Sequence, residues 1–260
     1  MTKILAVTNQ KGGVGKTTTS VNLAPSLAAV KQRVLLIDLD PQGNATMGSG
    51  IDKRDLLASV YEVLLGSKTI AEARTKADAG KYDLLPANRD LAGAEIELVD
   101  LPNRETRLRD ALQQVAGEYD FVLIDCPPAL NLLTLNGLCA TKSVMIPMQC
   151  EYYALEGLSD LVNTIRKVRT SLNPVLEIEG LLRTMFDPRN ALAQQVSDQL
   201  QAHFGNKVYR TVIPRNVRLA EAPSYGVPVL YHDKFSKGTL AYLALAGELL
   251  NIEVQPAQLL

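Results

Sequence analysis

Short apolar runs alternate along the chain with longer stretches in which apolar positions recur at helical spacing. The short runs predict strands at 4–8, 34–38, 83–86, 121–125, 143–147, 178–185 and 208–213. The periodic stretches predict helices at 16–30, 55–65, 104–117, 131–140, 154–172, 190–204 and 236–251. Val34-Leu35-Leu36-Ile37 and Phe121-Val122-Leu123-Ile124 are apolar at every position, which suits a parallel sheet covered on both faces. Strands and helices take turns with no internal repeat, low-complexity tract or composition shift. The expectation is a single doubly wound α/β domain over 1–260, mostly parallel, with helices on both faces. In such a sheet ligands bind beyond the carboxyl ends of the strands.

Composition narrows the setting. The chain has 260 residues, is 47% hydrophobic and carries a net charge of −1. No global field draws it to nucleic acid or to a membrane, so DNA contact would need a local basic patch. Its apolar runs are too short for a transmembrane helix, and a core strand so near the first residue leaves no room for a signal peptide. The three cysteines, Cys126, Cys139 and Cys150, are expected to be reduced and buried, as in a cytoplasmic protein.

The first strand runs into Lys11-Gly12-Gly13-Val14-Gly15-Lys16-Thr17-Thr18, and a helical pattern follows. Strand, glycine-rich loop and helix make a phosphate-binding loop, in which backbone N–H groups crowd around phosphate oxygens. Lys16 is placed to reach the β- and γ-phosphates and Thr17 to bind Mg²⁺. Gln10 stands where the usual loop has its first glycine, and Lys11 adds a second lysine. Two further acidic sites follow strands. Asp38 and Asp40 share a face of an extended segment and would repel unless a cation or water network lies between them. Pro41 and Gly43 then begin a loop able to respond to loss of the γ-phosphate. Asp125 ends a wholly apolar strand, as does the acid that holds Mg²⁺ in such enzymes.

These segments together resemble the ParA family of partition ATPases, P-loop enzymes with a deviant Walker A motif, in its chromosomal Soj-type branch. The likeness runs through 9–19, 38–46, 91–95, 124–128, 151–157 and 212–223. It implies ATP and Mg²⁺ as cofactors and an ATP-bound sandwich homodimer. In it Lys11 reaches the nucleotide of the other subunit, as an arginine finger would. It gives Asp40 the attacking water, sets Asp38 near Mg²⁺, and puts Pro214 and Asn216 against adenine. Arg189 and Arg218 match positions tied to non-specific double-stranded DNA binding, and Arg215 is a further candidate. A ParB/Spo0J-like adaptor would stimulate hydrolysis, and the protein would be cytoplasmic and associated with the nucleoid.

Other readings remain open. A MinD-like membrane ATPase needs a basic amphipathic end, whereas the segment 251–260 has no Lys or Arg and contains Pro256. That tail is expected to fray over about its last eight residues. An electron-transfer ATPase resembling the nitrogenase iron protein needs cluster-binding cysteines, and the three present are poorly spaced for it. A non-hydrolysing regulator would not need Lys11, Lys16 and Asp40 together. A ParA-type ATPase that positions a protein cargo rather than DNA is the remaining alternative.

Overall fold

The computed structural model describes residues 2–254. The expected tail fraying falls largely on 255–260, outside the described residues. In chain order the elements are β1 (Lys3–Val7), α1 (Lys16–Ala29), β2 (Val34–Asp38), α2 (Asn44–Gly48), α3 (Val60–Leu65), α4 (Ile70–Ala73), β3 (Thr75–Ala77), β4 (Tyr82–Leu85), α5 (Leu91–Glu97) and α6 (Arg107–Leu112). They continue with β5 (Phe121–Asp125), α7 (Leu132–Ala140), β6 (Ser143–Gln149), α8 (Ala154–Ser171), β7 (Glu177–Phe186), α9 (Ala191–Phe204), β8 (Val208–Pro214), α10 (Val217–Glu221), α11 (Val229–His232) and α12 (Lys237–Leu250).

The strands form one eight-stranded sheet in the order β3-β4-β2-β5-β1-β6-β7-β8. All neighbours are parallel except β3, which pairs antiparallel with β4. Alternate residues of a strand face opposite sides. Leu35, Ile37, Val122 and Ile124 therefore enter one core, and Leu36, Phe121 and Leu123 the other. Helices α1 and α12 cover the second core, and α7 and α8 lie over the first. Every residue of β2 and β5 is buried, as their unbroken apolar runs require.

Several boundaries differ from the sequence reading. The helix expected at 55–65 begins only at Val60, because Ser59 caps it and Glu62 reaches back to the Ser59 N–H in a capping box. The helix expected at 104–117 is confined to Arg107–Leu112, and a 3₁₀ turn at Ala116–Glu118 follows it. Gly117 in that turn disfavours a continued helix. Strand β3 has only three residues and no apolar alternation, so the pattern does not predict it. It is an edge strand, and its Lys76 pairs with Asp83 of β4 at 2.5 Å. The short helices α2, α4, α5, α10 and α11 are likewise absent from the sequence reading, being too brief to show a period.

The topology places the site. β1 lies between β5 and β6, so the chain moves off to opposite sides of it. Val7 and Asp38 are both register partners of Asp125. The loop after β1 and the acids ending β2 and β5 thus meet at one edge of the sheet.

Candidate nucleotide site

The loop between β1 and α1 is shaped by two glycines. Gly13 has φ of 72° and Gly15 of 87°, left-handed values that a side chain would strain. Gly15 is also the N-cap of α1, and it offers no side-chain cap. The first turn of α1 holds no acidic residue either, so its free N–H groups and positive dipole end face the loop. That is the arrangement an anionic phosphate completes.

Lys16 opens α1 and is 7% exposed. Its ammonium closes across the loop on the Lys11 carbonyl at 3.1 Å. Burial lowers its pKa, and the nearby Asp125 partly opposes that. Thr17 Oγ1 donates to Asp125 Oδ2 at 2.8 Å, and Ser20 Oγ donates to Asp125 Oδ1 at 2.9 Å. Ser20 is not among the residues that the sequence reading picks out. Its place one helical turn after Lys16 was the available signal.

Asp38 and Asp125 are both fully buried and adjacent in the sheet. Desolvation raises Asp38 to about 6. Desolvation, with repulsion from Asp38, raises Asp125 to about 8. Two buried carboxylates under such strain fit a divalent cation nearby. Among the described residues no group of three or more His, Cys, Asp or Glu is arranged to hold a metal unaided. Thr17 and Asp125 suit Mg²⁺, which takes few protein ligands and keeps waters and substrate phosphates around it. Asp38 is differently engaged: Oδ1 accepts from Asp40 N at 3.1 Å, and Oδ2 from Thr46 N and Oγ1 at 2.8 Å each.

Asp40 is half-buried. Its Oδ1 accepts from Gln42 N at 2.9 Å, and its Oδ2 has no hydrogen-bond partner among the described residues. Lys11 stands on the exposed rim, paired with Glu151 at 2.6 Å. Tyr152 and Tyr153 beside that pair are 73% and 71% exposed. On the other flank, a cavity of about 180 Å³ touches Gly15 and Thr18 and is lined by Met185, Pro214, Asn216 and Tyr242. Thr184 ties this flank to the loop by donating to the Val14 carbonyl at 2.8 Å.

The three arginines lie beyond the same edge. Phe186 and Pro214 are register partners, so Arg189 and Arg215 sit on adjoining loops, and Arg218 lies on α10 just beyond. Arg189 is paired with Asp187 at 2.7 Å. Arg218 is paired with Glu221 at 2.8 Å and Asp233 at 3.3 Å. The cysteines are all free and buried, so none is presented at the surface for a shared cluster.

Residues 2–178 match a family model described as an AAA domain. Over 248 residues, 95% of this chain and 98% of the relative, the sequence is 55% identical to the sporulation initiation inhibitor protein Soj of Bacillus subtilis. Over 253 residues, 96% and 95% of the two chains, it is 52% identical to the chromosome partitioning protein ParA of Caulobacter vibrioides. The chain belongs to the ParA family of ATPases. Its fold is shared with solved P-loop proteins of this group. The crystal structure of cobyrinic acid a,c-diamide synthase from Mycobacterium smegmatis, with an ATP analogue and magnesium bound, superposes with a TM-score of 0.85. That match is 41% identical and covers 96% of this chain and 95% of the other. In the glycine-rich loop described above, Lys16 is folded inward and Lys11 outward.

Proposed function

We propose that this chain is a partition ATPase that acts as a nucleotide-gated spatial switch for DNA, with residues 1–260 working as one domain. The observation that carries the reading is the division of labour between the two lysines. Lys16 is buried within its own loop, whereas Lys11 projects from the rim, held only by an exposed ion pair.

In this reading the loop N–H groups and Lys16 bind the β- and γ-phosphates of ATP, and adenine enters the cavity beside Pro214 and Asn216. Mg²⁺, held by Thr17 and Asp125 with Asp38 close by, would neutralise phosphate charge. Asp40 orients water through the carboxylate oxygen left free by Gln42. The water oxygen bonds to the γ-phosphorus as the bond to the bridging oxygen of ADP breaks, and the water's proton passes to the released phosphate. Two ATP-bound copies pair face to face, and Lys11 of each leaves Glu151 for the phosphates of the other. A cation supplied in trans stabilises the charge on the transferred phosphoryl group, worth roughly 10³–10⁵ in rate when it is arginine.

The dimer then places two sets of Arg189, Arg215 and Arg218 on one DNA duplex and binds its phosphates without reading sequence. A ParB-like adaptor stimulates hydrolysis, and the ADP-bound monomer leaves the nucleoid. No helix among the described residues is long and apolar enough to cross a membrane.

The test is Asp40→Ala, followed by size exclusion and DNA retention with ATP and with ADP. The expected protein dimerises with ATP, stays on DNA and does not turn over. With ADP it is monomeric and unbound. A variant that hydrolyses ATP at the parent rate removes Asp40 from its role. One that stays monomeric with ATP removes the switch.

A further inference from the structure

A buried threonine of the short helix after β2 is hydrogen-bonded to Asp38, whose carboxylate also holds the Asp40 backbone. Thr46 lies in α2 and is fully buried. Its hydroxyl accepts the Ala87 N–H at 2.9 Å and donates to Asp38 Oδ2 at 2.8 Å. The Thr46 N–H donates to the same oxygen at 2.8 Å. The other oxygen of Asp38 accepts the Asp40 N–H at 3.1 Å. A continuous chain of hydrogen bonds therefore runs from the residue after Pro86, through Thr46 and Asp38, to the backbone of Asp40.

The Thr46 hydroxyl is committed in both directions. The one hydroxyl proton of Thr46 goes to Asp38 and a lone pair takes Ala87, so the rotor has a single satisfied setting. The segment is closed at its far end as well. Gly43 N donates to Asp40 O at 2.8 Å, and a Cβ on Gly43 would lie 2.6 Å from the Ala87 carbonyl. The loop is thus pressed against the end of the chain that leaves β4.

We infer that Thr46 is a positioning residue for Asp40, acting through Asp38, so that the end of β4 serves as the fixed reference for the hydrolytic carboxylate. This rests on the reading of Asp40 as the residue that orients the attacking water. A buried carboxylate needs its acceptors filled to hold one orientation. Without the Thr46 hydroxyl, Asp38 loses one of its three donors and Ala87 N–H loses its acceptor. The Asp40 backbone is then anchored to a carboxylate that can rotate. In the proposed function nucleotide binding rests on the loop N–H groups, Lys16, Thr17 and Asp125, none of which is bonded to Thr46.

The experiment measures steady-state hydrolysis, ATP affinity and thermal stability of Thr46→Val, Thr46→Ser and the parent. Thr46→Val keeps the shape and removes the hydroxyl. Its kcat is expected to fall about 10- to 100-fold, the range for losing a supporting hydrogen bond or misplacing a reacting group, with ATP affinity unchanged. Thr46→Ser restores the hydroxyl and should recover kcat. If Thr46→Val does not fold, Thr46→Ala, which leaves room for a water, is measured in its place with the same expectations.

Parent kcat in the hydroxyl-free variant overturns the inference. So does an equal loss in Thr46→Ser, or a loss of ATP affinity that accounts for the fall in rate. The two readings fail separately. An active Asp40→Ala sinks the role of Asp40 itself. An inactive Asp40→Ala beside a fully active Thr46→Val sinks only the role of Thr46.

Discussion

At the scale of single residues, the site is dominated by two carboxylates that the fold buries side by side. Asp38 and Asp125 both have their pKa raised in the folded chain, to about 6 and about 8, by desolvation, with mutual repulsion adding to it at Asp125. They titrate as a coupled pair. Between the ordinary carboxylate range and about 8, the folded chain holds more protons here than the unfolded one. The slope of unfolding free energy with pH is then negative for this pair, and its contribution to stability falls as pH rises through that window. The protein without nucleotide is therefore expected to lose thermal stability from pH 5 to pH 8. Saturating Mg²⁺ and ATP should flatten that profile, because the cation favours the ionised pair. Asp125→Asn should weaken the apo pH dependence and abolish Mg²⁺-dependent turnover. A melting series over pH, with and without the two ligands, checks the sign, and an apo profile that rises with pH would contradict it.

Among the elements, α3 gives a control separate from the nucleotide loop. It starts at Val60 because Ser59 caps it and Glu62 closes the box. Ser59→Ala should cost about 1 kcal/mol of stability, the usual loss of a good cap, and leave kcat and ATP affinity unchanged. Denaturant unfolding beside an ATPase assay measures both, and a change in kcat would link α3 to the site. The same element shows what could be read in advance. Apolar runs located β2 and β5 to the residue, since strands buried on both faces carry an unbroken signal. The glycine loop was legible because the positive φ at Gly13 and Gly15 leaves little choice of residue. Helix α3 was overextended because the apolar pattern says nothing of which polar residue takes the cap. Ser20 offered only its place one turn after Lys16, and the tie of Thr46 to Ala87, far along the chain, is one that no local spacing reveals.

Across the whole molecule, the proposed attachment to DNA has to work against a net charge of −1 and against the ion pairs of Arg189 and Arg218. Arg189, its side chain 88% exposed, donates Nε–H and Nη2–H, one edge of its guanidinium, to Asp187, and that pairing holds the Asp187 carboxyl down at about 2. The pair is therefore ionised throughout the neutral range, and a phosphate must compete with a carboxylate for the same donors. A fully exposed pair of this kind adds little to stability, so the exchange is within reach of a DNA phosphate. Asp187→Asn removes the competitor together with a charge that repels DNA. It should tighten retention of the ATP-bound protein by about two- to fivefold per protomer, and leave hydrolysis without DNA unchanged. Arg189→Glu should act in the opposite direction and also flatten the dependence of log affinity on log salt, by about 0.9 for each phosphate no longer neutralised. Measuring retention over a salt series separates these effects from a change in dimerisation, which would alter affinity without changing the slope. Weaker retention in Asp187→Asn would mean that the pair shapes the loop after β7 rather than holding Arg189 back from DNA.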